Sequence, residues 1–200
     1  MFLPLSNRTL HFLSAFVRNP RQVGAVVPSS PALAKAMMHG LDVEADQTVV
    51  ELGPGTGAFT RAILRRLPSE AHYLGVELNP RFVEHLRRRF PRQGASFVHG
   101  SAEHLHQHHA DHALPSVRAV LCGLPFASLP DTVQDRVVDG LDQLLETGGE
   151  FRTFQYVHAF NLPAAQRFRK RMDAIFGPGQ RSRAVALNVP PAFVMRWARR

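Results

Sequence analysis

Three glycines at alternate positions, Gly53, Gly55 and Gly57, end the apolar run Val49-Val50-Glu51-Leu52 and lead into a helical pattern. A strand must break there into a tight turn, because residues without a Cβ accept unusual backbone angles and leave the main chain open to a ligand. A ligand pocket at the end of a strand is the direct implication. The spacing is not the G-x-G-x-x-G of a dinucleotide fold, and no Lys-Ser/Thr follows Gly57 as a P-loop requires. Instead Glu51 stands two places before the first glycine. Glu77 closes the next apolar strand, Tyr73-Leu74-Gly75-Val76, 20 residues beyond Gly57, where a carboxylate can accept both hydroxyls of a ribose.

Beyond this turn the chain alternates apolar runs with helical patterns, which predicts a parallel sheet covered on both faces. Helix is expected at 31–40, with Ser30 as N-cap and Pro31 in the first turn. Strands are expected at 48–52, 72–77, 96–99, 117–122 and 149–157, and helices at 57–67, 80–90, 131–146 and 163–175. Two closing strands, 183–188 and 192–198, are expected to flank Asn188-Val189-Pro190-Pro191 as a hairpin. The expected division is an amino-terminal segment, 1–30, and one domain, 31–200.

Composition narrows the class. At 200 residues and 44% hydrophobic content the chain can bury one good core. Its single cysteine, Cys122, excludes an intramolecular disulfide and suits a reducing cytoplasm. No apolar run is long enough to span a bilayer, and Pro4, Ser6, Asn7 and Arg8 break any signal-peptide core. The net charge is +8, yet residues 152–200 hold ten Lys or Arg against one acid, Asp173. That end of the molecule is expected to face a polyanion, either nucleic acid or an anionic lipid surface.

Residues 5–18 form a second amphipathic pattern. Leu5, Thr9, Leu10, Phe12, Leu13, Phe16 and Val17 share one side of a helical wheel, with Arg8 and Arg18 on the other. An interfacial membrane helix and a helix packed on the domain both have this period.

Taken together, the glycine turn, the strand before it, the helix after it and Glu77 resemble motif I and its acidic partner in the class I S-adenosylmethionine-dependent methyltransferases. The resemblance implies a Rossmann-like α/β fold with a seven-stranded, mostly parallel sheet, helices on both faces and a reversed last strand. It implies S-adenosyl-L-methionine as cofactor and S-adenosyl-L-homocysteine as product. Cofactor contacts would come from Glu51, Gly53, Gly55, Thr56, Gly57, Glu77 and Leu78, from Ser101, Ala102 and Glu103 at the adenine, and from Cys122. The acceptor would meet Gly123, Leu124, Pro125 and Phe126. Nucleobase amino methyltransferases carry Asn-Leu-Pro-Tyr or a close variant here; this chain keeps Leu-Pro-Phe but has Gly123 in place of Asn.

The stretch from Phe12 through Val27-Pro28-Ser29-Ser30-Pro31, the glycine turn, Gly123 to Phe126, and Asn188-Val189-Pro190-Pro191-Ala192 together resemble the bacterial phospholipid N-methyltransferases of the soluble fold. Members methylate phosphatidylethanolamine stepwise toward phosphatidylcholine and dock through an amino-terminal amphipathic helix. The resemblance therefore implies a peripheral enzyme on the inner face of the cytoplasmic membrane, with anionic lipid as partner and no obligate protein partner or nucleic acid. An ornithine lipid is an alternative acceptor, ribosomal RNA adenine is another, and a cofactor-binding protein without turnover is a third.

Methyl transfer to an amine needs no metal but needs a neutral, oriented acceptor. Tyr156 and His158, at the end of a strand, are the candidates to orient the amine or relay its proton. Phe126 and Phe151 are candidates to hold a methylated ammonium by cation–π attraction, and Arg181, Arg183 and Arg196 to hold a lipid phosphate. Five histidines between His104 and His112 are expected to form a solvated, pH-responsive loop rather than a metal site.

Overall fold

The computed structural model describes residues 29–200, so the expectation of a membrane-docking helix over 5–18 lies outside the described residues. Pro31–Met37 forms α1, opened by Ser30, whose hydroxyl accepts the Leu33 N–H at 3.1 Å. Then follow β1 (Thr48–Leu52), α2 (Ala58–Leu64), β2 (His72–Glu77), α3 (Pro80–Arg89) and β3 (Ala95–His99). The second half contains α4 (Leu105–Asp111), β4 (Val117–Cys122), α5 (Asp131–Leu144), β5 (Glu150–Tyr156), α6 (Pro163–Phe176), β6 (Gln180–Arg181) and β7 (Ala192–Ala198).

The strands form one sheet in the order β3-β2-β1-β4-β5-β7-β6. All neighbours through β5 are parallel, and β7 runs antiparallel to β5 and β6. Every residue of β1 is buried, as a strand covered on both faces requires. One core lies between the sheet and α5 and α6, built from Val50, Leu52, Val120, Phe151, Val137, Phe168 and Trp197. The other, with Val49, Tyr73, Leu121 and Phe154, lies under α1, α2 and α3. The strand order reverses between β1 and β4, and a doubly wound sheet opens its ligand crevice at the carboxyl ends there.

Two expectations are corrected. Residues 183–188 form no strand; β6 is two residues long, and beyond it only Val185 bridges to Ala192. The chain there cannot keep pairing, because Ser182 takes the Val194 N–H on its hydroxyl at 2.9 Å and two prolines remove donors before β7. The histidine-rich stretch is not a loop: a short 3-10 turn at Ala102–His104 runs into α4, pinned by fully buried Leu105. Among the described residues, no three His, Cys, Asp or Glu side chains converge as a metal site would need.

Candidate active site

At the carboxyl end of β1 the three glycines all have positive φ, at 70°, 55° and 88°. The Gly55 N–H donates to Glu77 Oε2 at 2.9 Å, and the Asn79 N–H donates to Oε1 at 2.9 Å. One carboxylate thus spans the turns after β1 and β2. Burial pushes the Glu77 pKa upward, against the pull of those two backbone donors. A Cβ on Gly55 would meet open space, whereas one on Gly53 would strike the Leu124 side chain at 2.6 Å. The turn is therefore covered on one side by the segment after β4 and open on the other.

Glu51 lies beneath this turn with no exposed surface. Its Oε2 accepts from Tyr73 Oη at 2.6 Å and from Thr60 Oγ1 at 2.8 Å, while Oε1 has no hydrogen-bond partner. Burial raises its pKa to about 7, and the Tyr73 and Thr60 hydroxyls offset part of that rise. Glu51 is paired in register with Gly75 on β2, and an added Cβ on Gly75 would sit 2.9 Å from Tyr73 Oη. The missing side chain is what lets the tyrosine reach across to the acid. Tyr73 and Thr60 are parts of the site that sequence reasoning missed; the glycine opposite Glu51 was their one visible trace.

These features fit a nucleoside-bearing, positively charged cofactor. A carboxylate at the end of β2 and an open glycine turn after β1 share one crevice, and the buried Glu51 carboxyl with its unpartnered oxygen lies beneath them. Further along the same edge, Ser101 donates to Glu103 Oε2 at 3.0 Å, and Glu103 is ion-paired with Arg136 at 3.3 Å. Ala102 opens the 3-10 turn there, and the ring of His99 contacts the Leu78 carbonyl at 3.0 Å. Cys122 is wholly buried at the end of β4, and burial pushes its thiol up to about 12.

The acceptor side is more varied. A Cβ on Gly123 would lie 3.0 Å from the Gly53 carbonyl oxygen, so a side chain there would need a small shift of the turn after β1. Gln134, which the sequence did not flag, fixes the following turn by donating to the Phe126 and Leu129 carbonyls at 2.8 and 3.0 Å. Pro125 leads into that turn. Phe126 and Phe151 are 1% and 0% exposed, and Phe126 stacks on Phe168 at 4.0 Å. Both rings are core, which corrects the expectation that they face a ligand: hydrophobic burial under α6 has taken their faces.

Tyr156 is half-buried at the carboxyl end of β5, its ring stacked on His158 at 5.5 Å, and burial raises the pKa of its hydroxyl. Arg169 ties this corner together, donating to Gln155 Oε1 at 2.7 Å and to the Phe160 carbonyl at 2.8 Å. Of the three arginines suggested for a phosphate, Arg196 is ion-paired with buried Glu150, far from the carboxyl edge, and Arg181 lies over the rings of Phe160 and Phe193. Arg183 is exposed on the loop that leads to β7.

Comparisons with known proteins agree with this crevice. The chain is 28% identical over 182 residues to ornithine lipid N-methyltransferase from Singulisphaera acidiphila, covering 90% of this chain and 91% of that protein. It is 39% identical over 70 residues to ribosomal RNA small subunit methyltransferase A from Thiobacillus denitrificans, covering 35% of this chain and 26% of that protein. The structure of Aeropyrum pernix fibrillarin with natively bound S-adenosyl-L-methionine superposes with a TM-score of 0.64 at 16% identity, over 84% of this chain and 73% of that one. The methyltransferase domain family matches residues 49–149. This chain belongs to that family and is an S-adenosylmethionine-dependent methyltransferase.

Proposed function

We infer that the enzyme methylates the amino head group of a membrane lipid. The observation that carries this reading is the bond between its two most distinctive segments. Asn188 Oδ1 accepts the Ser30 N–H at 2.9 Å, and Asn188 Nδ2 donates to the Pro190 carbonyl at 2.7 Å. Ser30 and the Asn188-Val189-Pro190-Pro191 segment, which lie in the two stretches that carry the resemblance to lipid N-methyltransferases, thus meet beside the far end of β5. The ornithine lipid N-methyltransferase matched over nearly its whole length supports the ornithine head group. Phosphatidylethanolamine, converted toward phosphatidylcholine, is the second acceptor, supported by the same two segments.

Ribosomal RNA adenine is the weaker reading. Gly123 lacks the side-chain amide that would hold a base's amino group, and Phe126 has no free face on which a base could stack.

When bound, S-adenosyl-L-methionine supplies an electrophilic methyl group on a sulfonium. The chain's own residues divide the remaining work. Glu77, at the end of β2, accepts the ribose hydroxyls, and buried Glu51 braces the turn beneath them through Tyr73 and Thr60. Thr56, Leu78, Ser101, Ala102 and Glu103 complete the walls of the crevice. Tyr156 orients the amine through its hydroxyl, and exposed His158 takes the ammonium proton so that a lone pair is free to react. A peripheral position on the inner face of the cytoplasmic membrane follows from this acceptor. No helix among the described residues is long and apolar enough to cross a membrane.

The test is radiolabelled methyl transfer to ornithine lipid vesicles, phosphatidylethanolamine vesicles and ribosomal RNA in parallel. Label in either lipid supports the reading, and label confined to RNA overturns it. Tyr156→Phe is expected to lower turnover about tenfold, a fraction of what a positioned proton-handling group contributes. Unchanged turnover would remove Tyr156 from the mechanism.

A further inference from the structure

The four large hydrophobic side chains that stand exposed among the described residues are Val157, Leu162, Leu187 and Val189. A single exposed apolar residue means little. These four gather at one edge. The Val157 N–H donates to the Pro191 carbonyl at 2.9 Å, Tyr156 pairs with Ala192, and Leu162 caps the start of α6 just after the turn that ends β5. The edge is the one that carries Tyr156.

Leu187 and Val189 are 81% and 68% exposed because the residue between them is turned inward. Asn188 is buried, held by Ser30 and Pro190, so its two neighbours project on either side of it. Exposed Arg181 and Arg183 lie on the chain that leads to this tip. From Phe151 to the end of the chain the single acid is Asp173, and its carboxylate is engaged by Trp197 Nε1 at 2.7 Å and the Gly179 N–H at 2.9 Å. An apolar tip with cationic flanks and no free acid matches the headgroup boundary of an anionic bilayer.

We propose that Val157, Leu162, Leu187 and Val189 form a membrane-seating rim that presses the acceptor edge of β5 onto an anionic lipid surface, with Arg181 and Arg183 over the lipid phosphates. The rim deepens the amino-lipid reading and rests on it for the direction from which the acceptor arrives. It places a docking contact within the catalytic domain itself.

The experiment compares the full chain with Leu187→Asp/Val189→Asp and Leu187→Phe/Val189→Phe. Cosedimentation with vesicles of phosphatidylcholine and phosphatidylglycerol measures binding. Methyl transfer is measured to an amino lipid in those vesicles and to a monomeric short-chain lipid with the same head group. The aspartate pair is expected to weaken vesicle binding about tenfold or more, the scale of losing buried apolar side chains, and to lower vesicle turnover in parallel. Transfer to the monomeric acceptor should stay at the full chain's level. The phenylalanine pair should bind more tightly.

Vesicle binding unchanged in both variants overturns the rim, as does a phenylalanine pair that binds no better if the aspartate pair fails to fold. A change of oligomeric state with vesicle binding intact also overturns it, making the edge an interface between copies. If no lipid accepts methyl while the aspartate pair still loses binding, the rim stands and the amino-lipid reading falls. If lipid is methylated and both variants behave like the parent chain, the reading stands and the rim falls.

Discussion

The cofactor end of the sheet and the acceptor end are built on opposite plans. At β1 and β2 the polar groups are buried and mutually bonded: Glu51 holds Tyr73 and Thr60, and Glu77 holds two backbone N–H groups. At the far end of β5 and in the chain before β7, Gln155 and Asn188 are turned inward, whereas Leu187 and Val189 are left in solvent. The difference supports the proposed division of labour between the two ends. A small charged cofactor is held by preorganised hydrogen bonds in a crevice of low dielectric, where each bond counts for more. The proposed lipid acceptor, bulky and amphipathic, needs an open mouth and an apolar approach.

The contrast is broken most forcefully at Glu77. Replacing it with alanine removes the acceptor that joins the turns after β1 and β2, and cofactor affinity measured by calorimetry is expected to fall on the order of 100-fold, the scale of lost bonds to a charged group. Vesicle binding should not change. An affinity within threefold of the parent, roughly the noise of such a comparison, would show that Glu77 is not part of the cofactor site.

Glu51 sharpens the comparison through pH. Its pKa in the folded chain is raised to about 7, so the folded state holds a proton that the unfolded state releases near the ordinary value of 4.5. Below that lower value the group costs nothing. Stability is lost as pH climbs through this window, by about 3 kcal/mol once the carboxylate is ionised in both states. Urea unfolding of Glu51→Gln should therefore match the parent at pH values near 4 and exceed it at pH values near 8. An equal difference at both would remove the titration of Glu51 as its cause.

Asn188→Ala tests the acceptor end with a smaller effect. It leaves the Ser30 N–H without its partner and should cost about 2 kcal/mol, or roughly 4–8 °C in Tm for a chain of this size. Cofactor affinity should hold while lipid turnover drops. If affinity falls as well, the two ends are coupled more tightly than their separate hydrogen-bond networks imply.

Much of the fold was legible in the sequence because its signals are local. Val49 to Leu52 and Val117 to Cys122 are apolar runs each interrupted by one charged residue, Glu51 and Arg118, and Ser30-Pro31 and Asn79-Pro80 announce helix starts. The stretch 183–188 misled because a hairpin about Asn188-Val189-Pro190-Pro191 predicts a strand there, whereas pairing depends on partners elsewhere: Ser182 spends its side chain on Val194, and Asn188 spends its own on Ser30. The histidine cluster misled in the other direction. Its polarity suggested a loop, and one buried leucine, Leu105, was enough to dock it as a helix.

The sequence by itself determined the glycine turn, the two acidic strand ends and the doubly wound order of elements, since each is written in neighbouring residues and needs only the chain's own stereochemistry. Tertiary structure alone decided that Tyr73 reaches Glu51 over Gly75, that Phe126 and Phe151 are core, that Arg196 answers Glu150, and that Ser30 meets Asn188. These contacts join residues far apart in the chain. Their outcome depends on which buried groups find hydrogen-bond partners once the layers close, and a buried polar group left alone costs more than any local preference can offset.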